Sequence, residues 1–332
     1  MLNKVAVVYN EPAASRYTEI GEAKAINGVL DEVKAAYRAL ADLGYTVTRV
    51  PLHPPLAAAR ERLHELQVDL VFNLFEGFEG RAETEAIVAG YIEELGVKYT
   101  GCSSAALADA QDKPGTRATL LAAGVRAPQY QVLTPATVSE FRLNYPCIVK
   151  PAGEHASHGI SRDSVVADAT ALERQVKKVS ELYGGRAMVE QFLEGREFNA
   201  TVMGNNKLVV LPPSEIVFTL PPGLPKLLTF AAKWEAGDPY FIGTTAQCPA
   251  KIDNALKEQI AQASLAAFKC LGCRSYARVD MRLDAGGQVA VLEVNPNPDI
   301  SPQYGAARQA RSAGMSYNEF IKKIVSLAWE GD

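Results

Sequence analysis

Four polar residues near the C-terminus of this chain are of types that can hold a metal ion and a phosphate: Arg278, Asp280, Glu293 and Asn295. They lie in two alternating stretches around Gly286-Gly287, which predicts a hairpin with a two-residue type I′ turn, because both central residues of that turn need positive φ. This register pairs Asp280 with Glu293 and Arg278 with Asn295, and alternate side chains of a strand share a face. Two opposed carboxylates destabilise a sheet, whereas Mg²⁺ prefers carboxylate and amide oxygens. The pattern therefore predicts a metal site in which Arg278 suits a phosphate.

The other face of this hairpin is predicted to pack in a core, and its members are Val279, Met281, Leu292 and Val294. The alternative to a metal site is a solvated sheet face with mixed charges, which is the commoner origin of such a pattern. That alternative does not explain why two acids are aligned against each other beside an asparagine and an arginine.

A second phosphate-binding candidate follows the apolar strand 147–151, which ends in Lys150-Pro151. The next segment, 153–159, is small, polar and glycine-containing, so its backbone N–H groups could cradle phosphate oxygens that Lys150 also reaches. It does not match the P-loop pattern. An ordinary surface loop explains it equally well, and we expect His155 and His158 to be exposed loop residues rather than metal ligands.

Two further segments could contact a nucleotide. In 189–197, backbone groups between two strands could pair with an adenine edge, and Glu197 could accept from ribose hydroxyls; a plain acidic linker is the alternative. Asp112-Lys113 precedes a predicted helix. Lys113 is either part of an ordinary helix N-terminus or a second cation directed at the nucleotide.

Composition describes an ordinary globular protein. With 48% hydrophobic and 22% charged residues over 332 positions, the chain is long enough for two or three domains. A net charge of −4 does not indicate the basic surface that nucleic-acid-binding proteins need. The apolar run 4–9 is too short for a signal peptide or a membrane span. Five scattered cysteines fit a reduced cytoplasm, and the C-x-x-C at 270–273 is expected to pack in a core.

The elements that must position these residues begin with alternating strands and helices over the first third of the chain, which predicts a parallel sheet covered by helices. The first helix is expected over 28–43. After residue 104 the pattern shifts to strands and hairpins. We expect a type I′ hairpin at Asn205-Asn206 and a long proline-rich loop over 212–225.

The order of these pieces along the chain resembles the ATP-grasp superfamily, most closely the D-alanine–D-alanine ligase family. The resemblance covers nearly the whole chain and implies an α/β (α+β) ATP-grasp fold. The expected parts are an N-terminal parallel-sheet domain (1–103), a central domain (104–192) and a C-terminal domain (193–332). It also implies an ATP-dependent ligase that joins a small carboxylate to an amine. Segments 153–159 and 212–245 would then be lids that exclude water.

The resemblance assigns roles to individual residues. Asp280, Glu293 and Asn295 would hold Mg²⁺, as two ions, with Mn²⁺ as an alternative. Phosphates would be bound by Lys113, Lys150 and Lys233. The adenine would meet the segment Glu190, Gln191, Phe192 and Leu193, and the ribose would meet Glu197. Arg278, Ser157 and Lys233 would act in catalysis, with Arg278 steadying the transferring phosphoryl group.

Departures from the family pattern fall on the amino-acid side. The candidate substrate residues are Glu11, Glu76, Trp234, Asp299, Ser301 and Tyr304, and Ala156 replaces one of two adjacent serines. We therefore expect a cytoplasmic, homodimeric ligase for amino-acid-like substrates other than two D-alanines. The alternatives are the D-alanine–D-alanine ligase itself and a nucleotide-binding sensor without catalysis.

Overall fold

The protein is described by a computed structural model for residues 3–17, 21–154 and 157–330. His155 and Ala156 thus lie outside the described residues. The N-terminal sheet has four parallel strands in the order β2-β1-β3-β4, as the alternating pattern predicted. Its elements are β1 (Lys4–Asn10), α1 (Glu22–Asp42), β2 (Thr46–Leu52), α2 (Leu56–His64), β3 (Leu70–Asn73), α3 (Glu83–Glu94) and β4 (Lys98–Tyr99).

The second sheet is antiparallel and has four strands in the order β5-β8-β6-β7. It follows two helices, and short 3₁₀ turns lie at Val138–Glu140 and Arg162–Ser164. The elements of this part are α4 (Ser104–Gln111), α5 (Lys113–Ala122), β5 (Tyr130–Leu133), β6 (Cys147–Pro151), β7 (Val165–Val166), α6 (Ala169–Leu182) and β8 (Ala187–Gln191).

The third sheet is also antiparallel, with the order β12-β11-β9-β13-β14 and β10 added to β9. Two helices end the described part. The elements are β9 (Glu197–Met203), β10 (Val209–Val210), β11 (Ser214–Phe218), α7 (Phe230–Trp234), α8 (Pro239–Gly243), β12 (Thr244–Gln247), α9 (Asn254–Cys270), β13 (Tyr276–Leu283), β14 (Val289–Asn295), α10 (Gly305–Ser312) and α11 (Tyr317–Trp329).

Three local predictions were wrong. Residues 212–225 are not one loop, because β11 forms there and pairs with both β9 and β12; the prolines that precede it hide the strand pattern. The predicted hairpin of β9 and β10 forms, with Val209 opposite Met203, but Asn205 does not sit in a type I′ turn. Its side-chain amide instead donates to the Leu327 carbonyl at 2.8 Å and accepts from the Ser275 N–H at 2.9 Å. Helix α1 begins at Glu22 rather than 28, because Gly21 adopts φ 92° immediately before it.

One hydrophobic core joins both ends of the chain. Val7 of β1, Val33 of α1 and Phe320 of α11 are all buried in it, so the C-terminal helices cover the N-terminal sheet. Cys270 and Cys273 pack against a second core, as expected of a structural pair. None of the described helices combines the length and the apolar character needed to cross a membrane. The domain boundaries after residues 103 and 192 remain a prediction.

Candidate functional site

The hairpin β13–β14 carries the predicted pairing, although its turn differs. Asp280 lies opposite Glu293, and Arg278 lies opposite Asn295. The turn, however, has three residues rather than two: the Asp284 N–H donates to the Gln288 carbonyl at 2.9 Å, and only the second glycine has a positive φ, of 74°. The shift that this extra residue introduces is cancelled by a bulge between Asp280 and Met281 in the ladder.

The bulge also corrects the predicted core face. Met281 pairs with Val291, not with Leu292, and Val291 is fully buried in the core beside it. Leu292 is only half-buried. Because the bulge precedes Glu293 along β14, the acidic pair keeps the predicted register while the residues nearer the turn are shifted by one.

Each acid of the pair is matched by a cation. The Arg278 guanidinium donates to both carboxylate oxygens of Asp280, at 2.7 and 2.8 Å. The Lys113 ammonium, at the first residue of α5, lies 2.5 Å from a Glu293 carboxylate oxygen. Helix α5 therefore directs its first side chain at the face of the hairpin.

Lys150 lies beside this pair and belongs to a buried ionic network. Its ammonium is 2.5 Å from one oxygen of Glu190, and the Arg117 guanidinium binds the other oxygen at 2.5 and 3.0 Å. Burial lowers the pKa of Lys150, an effect that Arg117 and Lys113 reinforce and Glu190 opposes. Burial would raise the pKa of Glu190, but Arg117 and Lys150 outweigh it and lower that pKa.

Sequence reasoning missed Arg117, which holds three elements together. It also donates to the carbonyls of Val291 and Leu292 in β14, at 2.5 and 2.9 Å. The one available signal was its spacing: Arg117 stands four residues after Lys113 on α5, so both lie on one helix face.

A cleft of about 320 Å³ brings together several of the predicted residues. It is lined by Lys113, Lys150, Pro151, Glu154, Ser157, His158, Ile160 and Glu293. Ser157 has φ 68°, a conformation uncommon for a residue with a side chain. The segment after β6 thus lines the same cleft as Lys113 and Lys150, and its role in binding phosphate remains a prediction.

His158 is not the exposed loop residue that we expected. Its ring stacks on Tyr17 with centroids 4.4 Å apart, and its Nε2 lies 3.1 Å from a Glu22 carboxylate oxygen. Beside it, Arg16 and Tyr17 both bind Glu154, the former at 2.7 Å. These contacts join the N-terminal part of the chain to segment 153–159. The partners are more than 130 residues apart in sequence, so no local pattern could reveal them.

Lys233 and Glu197 complete the polar face of the third sheet. Burial, with the charge of Arg278, lowers the pKa of Lys233 to about 8, and Glu293, Asp280 and Glu197 oppose this. Glu197 pairs in register with Arg282, whose guanidinium is 3.6 Å away. Burial raises the pKa of Glu197 to about 7, against the charge of Arg282.

The predicted adenine segment is partly engaged already. The N–H groups of Gln191 and Phe192 donate to the Gln129 and Pro146 carbonyls at 2.9 and 3.0 Å, so neither is free as we had expected. In the described part of the chain, the Leu193 N–H has no backbone acceptor. Phe192 itself packs with Leu227 of the segment that was predicted to be a lid.

Of the two substrate candidates Trp234 and Glu11, only Trp234 has a described contact with elements around the site. Trp234 packs against the start of α1, where a side chain on Gly21 would come within 2.7 Å of its Cβ. Glu11 follows β1, and its N–H donates to the Leu52 carbonyl of β2 at 3.0 Å. The structure thus ties Trp234 to the site through α1, whereas no described contact ties Glu11 to it.

The remaining substrate candidates lie around Asp299. The Ser301 N–H donates to Asp299 at 2.7 Å, and Ser301 is fully buried. Tyr304 precedes α10 and is 39% exposed. Burial raises the pKa of Asp299, against the charge of Arg278. Glu76 is exposed, yet surrounding protein, with Asp299 and Glu85, raises its pKa to about 8.

The donor set fits a hard divalent cation. Within the described residues no three His, Cys, Asp or Glu side chains converge as a preformed metal site. The donors available are instead two opposed carboxylates, Asp280 and Glu293, and the Asn295 amide on the same face. Oxygen ligands of this kind suit Mg²⁺ or Mn²⁺.

The chain is similar to known proteins over most of its length. The family model described as the D-ala D-ala ligase C-terminus matches residues 120–326. The uncharacterized protein y4sG of Sinorhizobium fredii is 34% identical over 287 residues, which cover 86% of this chain and 81% of that protein. A D-alanine–D-alanine ligase of Gluconobacter oxydans is 32% identical over 297 residues, covering 89% and 92%.

Solved structures share the fold at lower identity. The D-alanine–D-alanine ligase of Bacillus anthracis superposes with a TM-score of 0.76 at 21% identity, covering 99% of this chain and 98% of that one. The VanG D-Ala:D-Ser ligase of Enterococcus faecalis gives 0.73 at 20% identity, covering 99% and 100%. The ATP-grasp fold that the motif order implied is therefore confirmed, and the chain belongs to the D-alanine–D-alanine ligase family of ATP-grasp enzymes, which form C–N bonds.

Proposed function

We propose that this enzyme uses ATP to activate a substrate carboxylate as an acyl phosphate and then joins it to an amine. The observation that carries the proposal is the convergence of Lys113, Lys150 and Arg278 on the face that holds Asp280 opposite Glu293. Cations from three elements surround a pair of opposed acids there, which suits a triphosphate and its metal.

The reaction needs ATP because a free carboxylate resists attack by an amine. A carboxylate oxygen would attack the γ-phosphorus, and ADP would leave. The amine nitrogen would then attack the acyl carbon, the bond from that carbon to the phosphate oxygen would break, and the nitrogen would lose a proton. Arg278, Lys113 and Lys150 would stabilise the charge on the transferring phosphoryl group.

Asp280, Glu293 and Asn295 would hold Mg²⁺, which when bound would neutralise phosphate charge. The same acids are paired with Arg278 and Lys113 in the structure, so both cations are positioned to bind phosphate oxygens beside the metal-holding residues. Leu193 would meet the adenine through its backbone and Glu197 the ribose, while Glu190 would hold Lys150 rather than contact the base.

The substrates proposed for this enzyme are not two D-alanines. Asp299 and Glu76 would put acidic groups where a second amino acid would bring its carboxylate, and like charges repel. Trp234 and the exposed ring of Tyr304 add bulk on the same side. Glu11, which the described contacts leave away from the cleft, is the weakest of the proposed substrate residues.

The test is ATP-dependent phosphate release with a panel of L- and D-amino acids and amines. Turnover that requires an acceptor other than D-alanine supports the proposal, and exclusive use of D-alanine would restore the D-alanine–D-alanine ligase. Absence of any ATP turnover, with nucleotide still bound, would favour the sensor. The homodimer also remains a prediction, and light scattering coupled to size-exclusion chromatography tests it.

A further inference from the structure

Four carboxylates from separate parts of the chain lie near one another, and one of them, Asp299, lies near Arg278. We call them the acidic cluster: Glu32, Glu76, Glu85 and Asp299. Burial is the main cause that raises the pKa of Glu32, and the surrounding protein is the main cause at Glu76. Asp299 is close enough to raise both pKa values further, and Glu85 adds to the effect on Glu76. Among the described residues none of the four forms an ion pair, and Arg278 is the cation that acts on Asp299.

Hydrogen bonds hold these carboxylates in place without neutralising them. The Ile300 N–H donates to Glu32 at 2.7 Å, and the Asn297 side chain donates to Glu85 at 2.7 Å. The Ser301 N–H does the same for Asp299. Neutral donors fix where the oxygens point but bring no counter-charge, so Glu76 and Glu85 have pKa values of about 8 and 7 and would become fully ionised only beside a cation.

A buried hydroxyl gives an independent sign that a ligand belongs there. Tyr276 is 0% exposed, and its hydroxyl has no hydrogen-bond partner in the described parts of the chain. Tyr276 stands two residues before Arg278 on β13, so the two side chains lie on the same face of the strand. Burial raises the pKa of Tyr276, and the nearby charges of Glu32 and Glu85 raise it further. A buried polar atom without a partner is costly in a native fold, so it is rare unless something else satisfies it.

Resting on the proposed function, we propose that the acidic cluster binds a positively charged group of the acceptor, so that the second substrate is an amine with a second cationic group, such as a diamine or a basic amino acid. An ammonium has three donors and no acceptor, which matches carboxylate oxygens and a phenol oxygen. The attacking nitrogen would be the other one: it would lose its proton on forming the amide, while the ammonium in the cluster would keep its charge.

The experiment compares acceptors of equal length that differ in charge. ATP-dependent phosphate release is measured with 1,4-diaminobutane against butylamine, and with lysine against norleucine, each across a panel of free amino acids as donors. We expect kcat/KM for the cationic member of each pair to be higher by about tenfold or more, as for a charge-assisted contact. Calorimetry with the same four probes measures binding without turnover.

Two neutral variants locate the effect. Asp299→Asn and, separately, Glu76→Gln should reduce the preference for 1,4-diaminobutane over butylamine by about tenfold, as for loss of a charged hydrogen-bond partner. Glu61→Gln, an exposed acid on α2, is the matched control and should keep the preference. Because Glu76 is exposed, its replacement is expected to fold even if Asp299→Asn does not, and circular dichroism checks both.

The outcomes separate this inference from the proposed function. Equal turnover with butylamine and 1,4-diaminobutane would overturn the cationic acceptor and leave the ligase standing. Turnover with none of the acceptors would remove the ligase, and the calorimetry would then decide: tighter binding of 1,4-diaminobutane that Glu76→Gln weakens supports the cluster, and equal binding of the two probes rejects it.

Discussion

The two sides of Arg278 balance their charges in opposite ways. Toward β6, Glu190 is enclosed by Arg117 and Lys150, so a buried anion already holds two cations. Toward α1 and α3, the acidic cluster has hydrogen bonds but no ion pair within the described chain. We propose that the first side receives an anion and the second a cation. The difference lies in whether the chain itself supplies the opposite charges.

The largest effect should come from breaking the balanced side. Glu190→Gln would leave Lys150 and Arg117 buried without their anion, which typically costs about 3–5 kcal/mol. We expect a melting temperature lower by several degrees, measured by differential scanning calorimetry. Glu61→Gln, an exposed acid, is the control. An unchanged melting temperature for Glu190→Gln would mean that this side is not held by its ion pairs.

The next effect is on chemistry rather than folding. Glu293→Gln should lower ATP turnover on the order of 100-fold or more, the usual cost of removing one preorganised electrostatic group, while circular dichroism shows an intact fold. The exposed Glu258→Gln on α9 serves as its matched variant. Normal turnover by Glu293→Gln would remove the metal assignment and, with it, the anion-binding character of this side.

Replacing one cation tests the same side more gently. Lys150→Ala should weaken nucleotide binding by tenfold or more, as for loss of a charge-assisted contact worth about 1.5–3 kcal/mol, and Lys113→Ala should behave alike. Lys150→Ala should cost less stability than Glu190→Gln, because Glu190 keeps Arg117. Titration with a nonhydrolysable ATP analogue measures the affinity, with the exposed Lys257→Ala for comparison. Unchanged affinity would mean that segment 153–159 is an ordinary surface loop that does not bind phosphate.

The smallest effect is a pH dependence that belongs to the unbalanced side. Surrounding protein and neighbouring acids raise the pKa of Glu76 to about 8, and burial raises that of Glu85 to about 7, both from 4.5. Between pH 4.5 and about 8, the folded state therefore binds more protons than the unfolded state. Stability should fall as pH rises from 4.5 through about 8.

Melting temperatures of the wild type and of Glu76→Gln across that pH window check this sign. The variant should lose less stability on raising the pH, because it has one ionisable acid fewer in the cluster. If the variant and the wild type have the same pH profile, the pKa of Glu76 is not raised in the folded state.

Local pattern explains why part of the site was predictable. Alternation along β13 and β14 placed Asp280 against Glu293 on one face and apolar residues on the other, and side-chain direction in a strand follows from the backbone alone. Position at the end of a strand or the start of a helix similarly marked Lys150 and Lys113. The turn itself was predicted wrongly, yet the pairing survived because the three-residue loop and the bulge shift the register in opposite directions.

The sequence by itself determined the alternating elements, the pairing of Asp280 with Glu293 in the β13–β14 hairpin and the family resemblance, since each of these depends on neighbours in the chain or on their order. Tertiary structure alone decided that Arg117 binds Glu190, that His158 stacks on Tyr17, and that Glu32, Glu85 and Asp299 meet near Tyr276. Residues so far apart have no fixed spacing that could reveal them. Their charges interact only after the sheets and helices have packed, when burial removes the water that would otherwise screen them.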